Sequence, residues 1–131
     1  MANLSEQAQG LLEGANFAHL ATINHDGTPQ VTPIWIDVED GRPVINTVVG
    51  RVKHRNILRD PRLTLEISPA DDPYRYVELR GRASELTEDG AVLHIEKLSQ
   101  KYTGEAFREL EPGEIRVKIY VDVERELHHN G

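Results

Sequence analysis

The sequence holds no cysteine, one methionine, one tryptophan and two phenylalanines. Without a thiol there is no disulfide framework, no thiolate zinc site, no iron–sulfur cluster and no cysteine nucleophile. Long apolar runs are also missing. The uninterrupted apolar stretches run only a few residues, far short of the ~20 that a membrane-spanning helix needs. Positive charge is scarce as well: 15 Lys and Arg stand against 22 Asp and Glu, a formal net charge of -7. Phosphate neutralisation supplies most non-specific affinity for nucleic acid, so this balance excludes a general nucleic-acid binder. The first 14 residues lack a basic segment followed by an apolar one, so no signal peptide is expected and a cytoplasmic location is. What remains is 131 residues with 38% hydrophobic and 28% charged side chains. That length and composition describe one globular domain spanning 1–131.

The chain punctuates itself clearly. Residues 4–14 place Leu4, Ala8, Leu11 and Leu12 at helical spacing, with Gly14 as the expected cap. Phe17 to Ile23 reads as a strand, followed by turn chemistry at Asn24-His25-Asp26-Gly27. Gln30 to Val38 is expected as a second strand and Pro43 to Val49 as a third, with a hairpin signal at Asp40-Gly41 between them. Pro33 inside the second strand cannot donate to a ladder, which points to an edge, a bulge or a wall facing a ligand. Val52 to Arg59 reads as a short helix stopped by Asp60-Pro61. Leu63 to Ile67 alternates as a strand, and Tyr74 to Glu85 reads as another, with Gly81 marking a bulge. Asp89 to Tyr102 is expected as a helix with Val92, Leu93, Ile95, Glu96, Leu98 and Tyr102 in one apolar stripe. Ile115 to Val123 alternates as the last strand. Six strands joined mostly by hairpins imply a mainly β (α+β) antiparallel sheet, closed as a small barrel with flanking helices.

The segment 51–62 carries five of the 15 basic residues. Arg51, Lys53 and Arg55 lie where a strand hands over to a helix N-terminus, a position that favours negative side chains. Cations gathered there make sense around a bound anion such as phosphate, and otherwise are a solvated helix face. The six histidines form no pair at helical ligand spacing, so no metal site is expected. No G-x-S-x-G elbow, P-loop or dinucleotide glycine fingerprint occurs. Asp71-Asp72 and Glu39-Asp40 sit in turns and read as solvated loop charge. Trp35 shares a strand face with Val31 and Pro33 and serves either core or interface packing, or a groove for a flat ring. An anion site without a visible nucleophile or general base favours a phosphorylated cofactor that carries the reactivity itself.

The hairpin Ala21 to Val31 (A-T-x-x-x-D-G-x-P-x-V) and the run Lys53 to Arg62 (K-x-R-N-I-x-R-D-P-R) resemble the pyridoxamine-phosphate-oxidase-like split β-barrel superfamily. Within it the chain looks most like the branch of F-420-dependent flavin/deazaflavin oxidoreductases, and the resemblance runs through nearly its whole length. It implies a homodimer with two cofactor sites at the subunit interface. Arg51, Lys53 and Arg55 would hold the cofactor phosphate. Gln30, Thr32, Pro33, Ile34 and Trp35 would lie along the ring, with Asn46, Thr47 and Val48 beside it, and Tyr74 and Tyr76 would reach over from the partner chain. The implied activity is hydride transfer from reduced coenzyme F-420 to a small conjugated acceptor such as a quinone, tetrapyrrole or enone. FMN is the alternative cofactor, and a non-catalytic F-420 carrier the alternative role. Arg59 and Arg62 are candidates for an anionic cofactor tail. The chain lacks the C-terminal basic segment of the pyridoxamine phosphate oxidases themselves, so vitamin B6 oxidation is not expected.

Overall fold

A computed structural model describes residues 3–130, so the three outermost residues of the expected 1–131 domain lie outside it. Ser5 opens the first helix, α1 (Glu6–Glu13), its hydroxyl accepting from Ala8 N–H at 3.0 Å. Gly14 closes that helix, in extended rather than left-handed backbone. Strands β1 (Ala18–Ile23) and β2 (Pro29–Ile34) form a hairpin, and β3 (Asp37–Glu39) pairs with β4 (Arg42–Val48). Helix α2 (Val52–Arg59) has the expected bounds, followed by β5 (Arg62–Ile67) and β6 (Val77–Thr87). Helix α3 (Ala91–Thr103) and the long β7 (Arg116–His128) complete the chain.

The expected count of six strands is corrected to seven. The sheet is antiparallel throughout, in the order β2-β1-β5-β6-β7-β4-β3. The predicted strand Gln30–Val38 is two strands, broken at Trp35-Ile36, and its halves form opposite edges of the sheet. Three peptide steps from Ile34 to Asp37 reach at most ~11 Å, so the two edges must approach one another there. The sheet therefore rolls up as expected but is not closed: no ladder pairs β2 with β3 among the described residues.

Side chains from alternating positions, among them Leu20, Leu65, Leu79, Ile45 and Ile119, fill the inside of the roll, where Leu12 of α1 and Ile57 of α2 join them. Gly81 sits at a bulge, where Arg80 faces Arg125 but Gly81 faces Val123. A methyl group there would overlap the Asp122 carbonyl oxygen, so the position accepts glycine only. The apolar stripe expected on the third helix is corrected: Ala91, His94, Ile95, Leu98 and Ser99 are buried, whereas Val92 and Leu93 face solvent. The buried positions follow i, i+3, i+4 spacing from Ala91 through His94, Ile95, Leu98 and Ser99, a face that leaves Val92 and Leu93 on the opposite side. The strand expected from Tyr74 starts at Val77, because Pro69 to Arg75 form a turn held by Asp72, which accepts from Tyr74 N–H at 3.1 Å.

Candidate functional site

The break between β2 and β3 is held from outside by α3. Tyr102 Oη accepts from Ile36 N–H at 3.0 Å and donates to Asn16 C=O at 2.6 Å. Lys101 Nζ donates to Ile36 C=O at 2.6 Å and Leu12 C=O at 2.8 Å. Backbone that leaves the ladder must find other partners, and these two side chains supply them. Burial pushes the Tyr102 hydroxyl up to about 12, so it stays protonated and can donate. The ring of Trp35 stacks on Tyr102 at 5.4 Å, and Phe17 tilts against the same ring at 5.6 Å.

Beside Trp35 lies a cavity of about 340 Å³, within the ~300–1,000 Å³ of ligand sites. Its apolar wall includes Phe17, Pro33, Ile34, Trp35 and Leu98, and its polar wall Asn46, Thr47, Arg51, Lys53, Arg108 and Arg116. Pro33 thus occupies an edge strand and also faces the cavity. Gly50, with φ 97°, turns the chain out of β4 into α2. Its N–H is taken by His54 Nδ1 at 3.1 Å, and burial lowers the affinity of that imidazole for a second proton. Arg51 caps α2 without a side-chain hydrogen bond, and the first turn contains no acid. Among the described residues neither Arg51 nor Lys53 has a hydrogen-bond or carboxylate partner for its charged group. Burial, and after it the charge of Arg51, lower the pKa of Lys53.

Seven of the expected site residues therefore meet in one cavity: Pro33, Ile34, Trp35, Asn46, Thr47, Arg51 and Lys53. Arg55 does not. It lines a separate depression with Asn24, His25 and Asp26, because residues two apart on a helix point to opposite sides. Val48 borders an adjoining hollow with Arg51 and Arg108. Gln30 Oε1 accepts from Thr22 Oγ1 at 3.3 Å, and Thr32 Oγ1 is buried without a partner among the described residues; neither residue lines the cavity. Tyr74 and Tyr76 precede β6 beside the end of β7, where the Tyr76 ring stacks on His129 at 5.0 Å. Neither tyrosine lines the cavity within one protomer: the ladder row Val77–Ile67–Ala18–Ile34 leaves three strand spacings, roughly 15 Å, between the start of β6 and the Ile34 wall.

Arg59 donates to Ile23 C=O and Asn56 Oδ1, and Arg62 is paired with Asp60 at 2.7 Å, so the two tail candidates are committed elsewhere. The additional cations are Arg108 and Arg116, which the sequence reading missed. Alternation marked Arg116 as outward-facing on the last strand, but α3 covers that outer face and Arg116 is only 6% exposed. Glu114 joins the two, accepting from Arg108 Nη1 and Arg116 Nη1 at 2.8 Å each.

One further cluster has the ligand types of a metal site. Asp37, Glu39 and His94 bring their donor atoms within 4.8 Å of one another. Lys97 lies 3.2 Å from Asp37 Oδ2 and Lys118 3.3 Å from Glu39 Oε2, so the acidic charge there is already neutralised. Burial raises the Asp37 pKa, but bonds from His94, Val38 N–H and Lys97 outweigh that and hold it well below the usual carboxylate range.

The comparisons agree with this architecture. Residues 4–128 match the family model described as pyridoxamine 5'-phosphate oxidase. A solved F420 reductase is 31% identical, with a TM-score of 0.84, over 95% of this chain and 98% of that one. A conserved hypothetical protein from Mycobacterium tuberculosis is 28% identical with a TM-score of 0.76, over 97% and 85%. A putative pyridoxamine 5'-phosphate oxidase from Listeria innocua shares the fold at 22% identity and a TM-score of 0.72, over 96% and 98%. With its rolled antiparallel sheet, its three helices and a match over nearly its whole length, this chain belongs to the pyridoxamine 5'-phosphate oxidase family.

Proposed function

We propose that the protein is a flavin- or deazaflavin-dependent oxidoreductase, and specifically one that uses reduced coenzyme F-420 to deliver hydride to a small conjugated organic acceptor. One observation carries this reading: two cations without partners among the described residues, Arg51 and Lys53, stand in the same cavity as the apolar wall of Pro33 and Trp35. That pairing suits a ligand with a phosphate at one end and a ring at the other. Thr47, whose buried Oγ1 has no partner among the described residues, adds an unused polar atom to the cavity wall. The 31% identity to an F420 reductase supports the deazaflavin over FMN, which offers the same two chemical handles.

When bound, the cofactor supplies the hydride, so no protein nucleophile is required. The protein binds the phosphate through Arg51 and Lys53, orients the ring against Pro33 and Trp35, and keeps water from one face of it. Homodimerisation in the cytoplasm completes the reading, with Tyr74 and Tyr76 contributed to the partner's site and Arg55 to the surrounding positive field.

Trp35 is the only tryptophan, so its fluorescence reports on this cavity alone. Titration should show saturable quenching by F-420 at lower concentrations than by FMN. Lys53→Ala should weaken binding by about 1.5–3 kcal/mol, the worth of a charge-assisted hydrogen bond. Tight FMN binding with none of F-420 reverses the order of the two cofactors, and binding of neither refutes the site. Turnover of a quinone or enone with reduced F-420 separates an enzyme from a carrier.

A further inference from the structure

We infer that Arg116 is the third anion-contacting residue of this cavity, seating a phosphoryl oxygen together with Arg51 and Lys53, and that Asn46 serves by holding Arg116 rather than by touching the ligand. The inference rests on the cofactor reading above and assigns residues within it.

Arg116 begins β7 and its side chain is 5% exposed. A guanidinium in such a place must have its hydrogens accounted for. Nε donates to Asn46 Oδ1 at 2.9 Å and Nη1 to Glu114 Oε2 at 2.8 Å. Nη2 has no hydrogen-bond partner among the described residues, and Arg116 lines the cavity. Two edges of the fork are thus fixed by the protein and the third is left for a ligand, the geometry in which arginine reads an oxyanion best. Glu114 does not neutralise the site, because the same carboxylate also accepts from Arg108 at 2.8 and 3.2 Å. Four cations therefore line the cavity, and the one carboxylate beside them is divided between Arg108 and Arg116. Arg51 is close enough to act on both neighbours: after burial, its charge is a cause that lowers the proton affinity of Lys53, and it acts likewise on Arg116 against the pull of Glu114.

Asn46 is committed in full on its donor side. Nδ2 gives its two hydrogens to Ala91 C=O at 2.8 Å and His94 Nδ1 at 3.1 Å. Flipping the amide would set its NH₂ against Arg116 Nε–H and its oxygen against the Ala91 oxygen, so only one orientation is tolerated. Nothing on Asn46 is left to donate to a ring. Its carbonyl oxygen instead fixes the angle at which Arg116 enters the cavity, making it a positioning residue.

The test is F-420 and FMN titration, read by Trp35 quenching, of wild type, Arg116→Lys, Asn46→Ala and the double variant. Arg116→Lys keeps a buried positive charge and so keeps the fold, but one ammonium cannot serve Asn46, Glu114 and a ligand in the fixed fork. It should lose between about 10- and 100-fold in affinity for whichever cofactor the wild type binds. Asn46→Ala should weaken binding too, and the double variant should bind no more weakly than Arg116→Lys alone, since Asn46 acts through Arg116. A purely structural role for Asn46 predicts multiplied losses instead. Wild-type binding with Arg116→Lys unchanged within about twofold overturns this inference and leaves the cofactor reading standing. Failure of the wild type to bind either cofactor overturns the cofactor reading itself.

Discussion

Glu114 shows how one side chain can organise a site without facing it. Hydrogen bonds from Arg108, from Glu111 N–H and from Arg116 hold its carboxyl down to about 2, against an ordinary 4.5. A carboxylate whose folded pKa is depressed contributes stability above the ordinary value, and loses it as pH falls through the folded one. Wild type and Glu114→Gln should therefore differ most in thermal midpoint above about 4.5, and the gap should close towards pH 2. Melting curves across that window measure it, and a gap that does not depend on pH would contradict the assignment. The residues of this network were the least legible in the sequence. Arg51 and Lys53 stand out as a basic run at a helix start, whereas Arg108 and Glu114 come from a loop with no local pattern and the alternation around Arg116 points it to solvent. Arg55 was grouped with its neighbours by position along the chain, but helical geometry turns it away.

At the level of elements, turn and cap chemistry is legible in the sequence. Helix α2 and the bulge at Gly81 lie where proline and glycine put them. The break between β2 and β3 was not legible, because Ile34, Trp35, Ile36 and Val38 carry good strand propensity throughout. What breaks the strand is tertiary: a tyrosine and a lysine from α3 offer the backbone of Ile36 an alternative to the ladder. Tyr102→Phe removes the hydroxyl that serves both Ile36 and Asn16. It should cost about 1–3 kcal/mol, seen as a lower urea midpoint with an unchanged slope. The Trp35 emission should shift in the same variant, since the two rings are stacked. A stability equal to wild type would mean that the break holds itself. The end of the last strand was underestimated for a related reason: Arg125 to His128 lose the clean alternation yet still pair with β6.

At the scale of the molecule, the expected roll of antiparallel strands is present, and one strand too few was expected because one predicted strand serves both edges. The net charge of -7 concealed a cavity with four cations in its wall. Among the described residues, no helix is long and apolar enough to cross a membrane. The dimer belongs to the proposal: light scattering at micromolar concentration should return twice the 14.8 kDa chain mass, and a monomer there would remove the partner tyrosines from the site. The edges limit how such a dimer forms. β2 carries proline at positions 29 and 33, on the same side of the strand as Val31. Proline has no hydrogen to give the ladder with β1, so this side faces outward, where Val31 N–H is its single backbone donor beside the carbonyls of Pro29, Val31 and Pro33. The other edge, β3, is three residues long. Both edges are therefore poor templates for stacking strand upon strand, one short of donors and the other short of length, which works against the growth of fibrils in crowded protein.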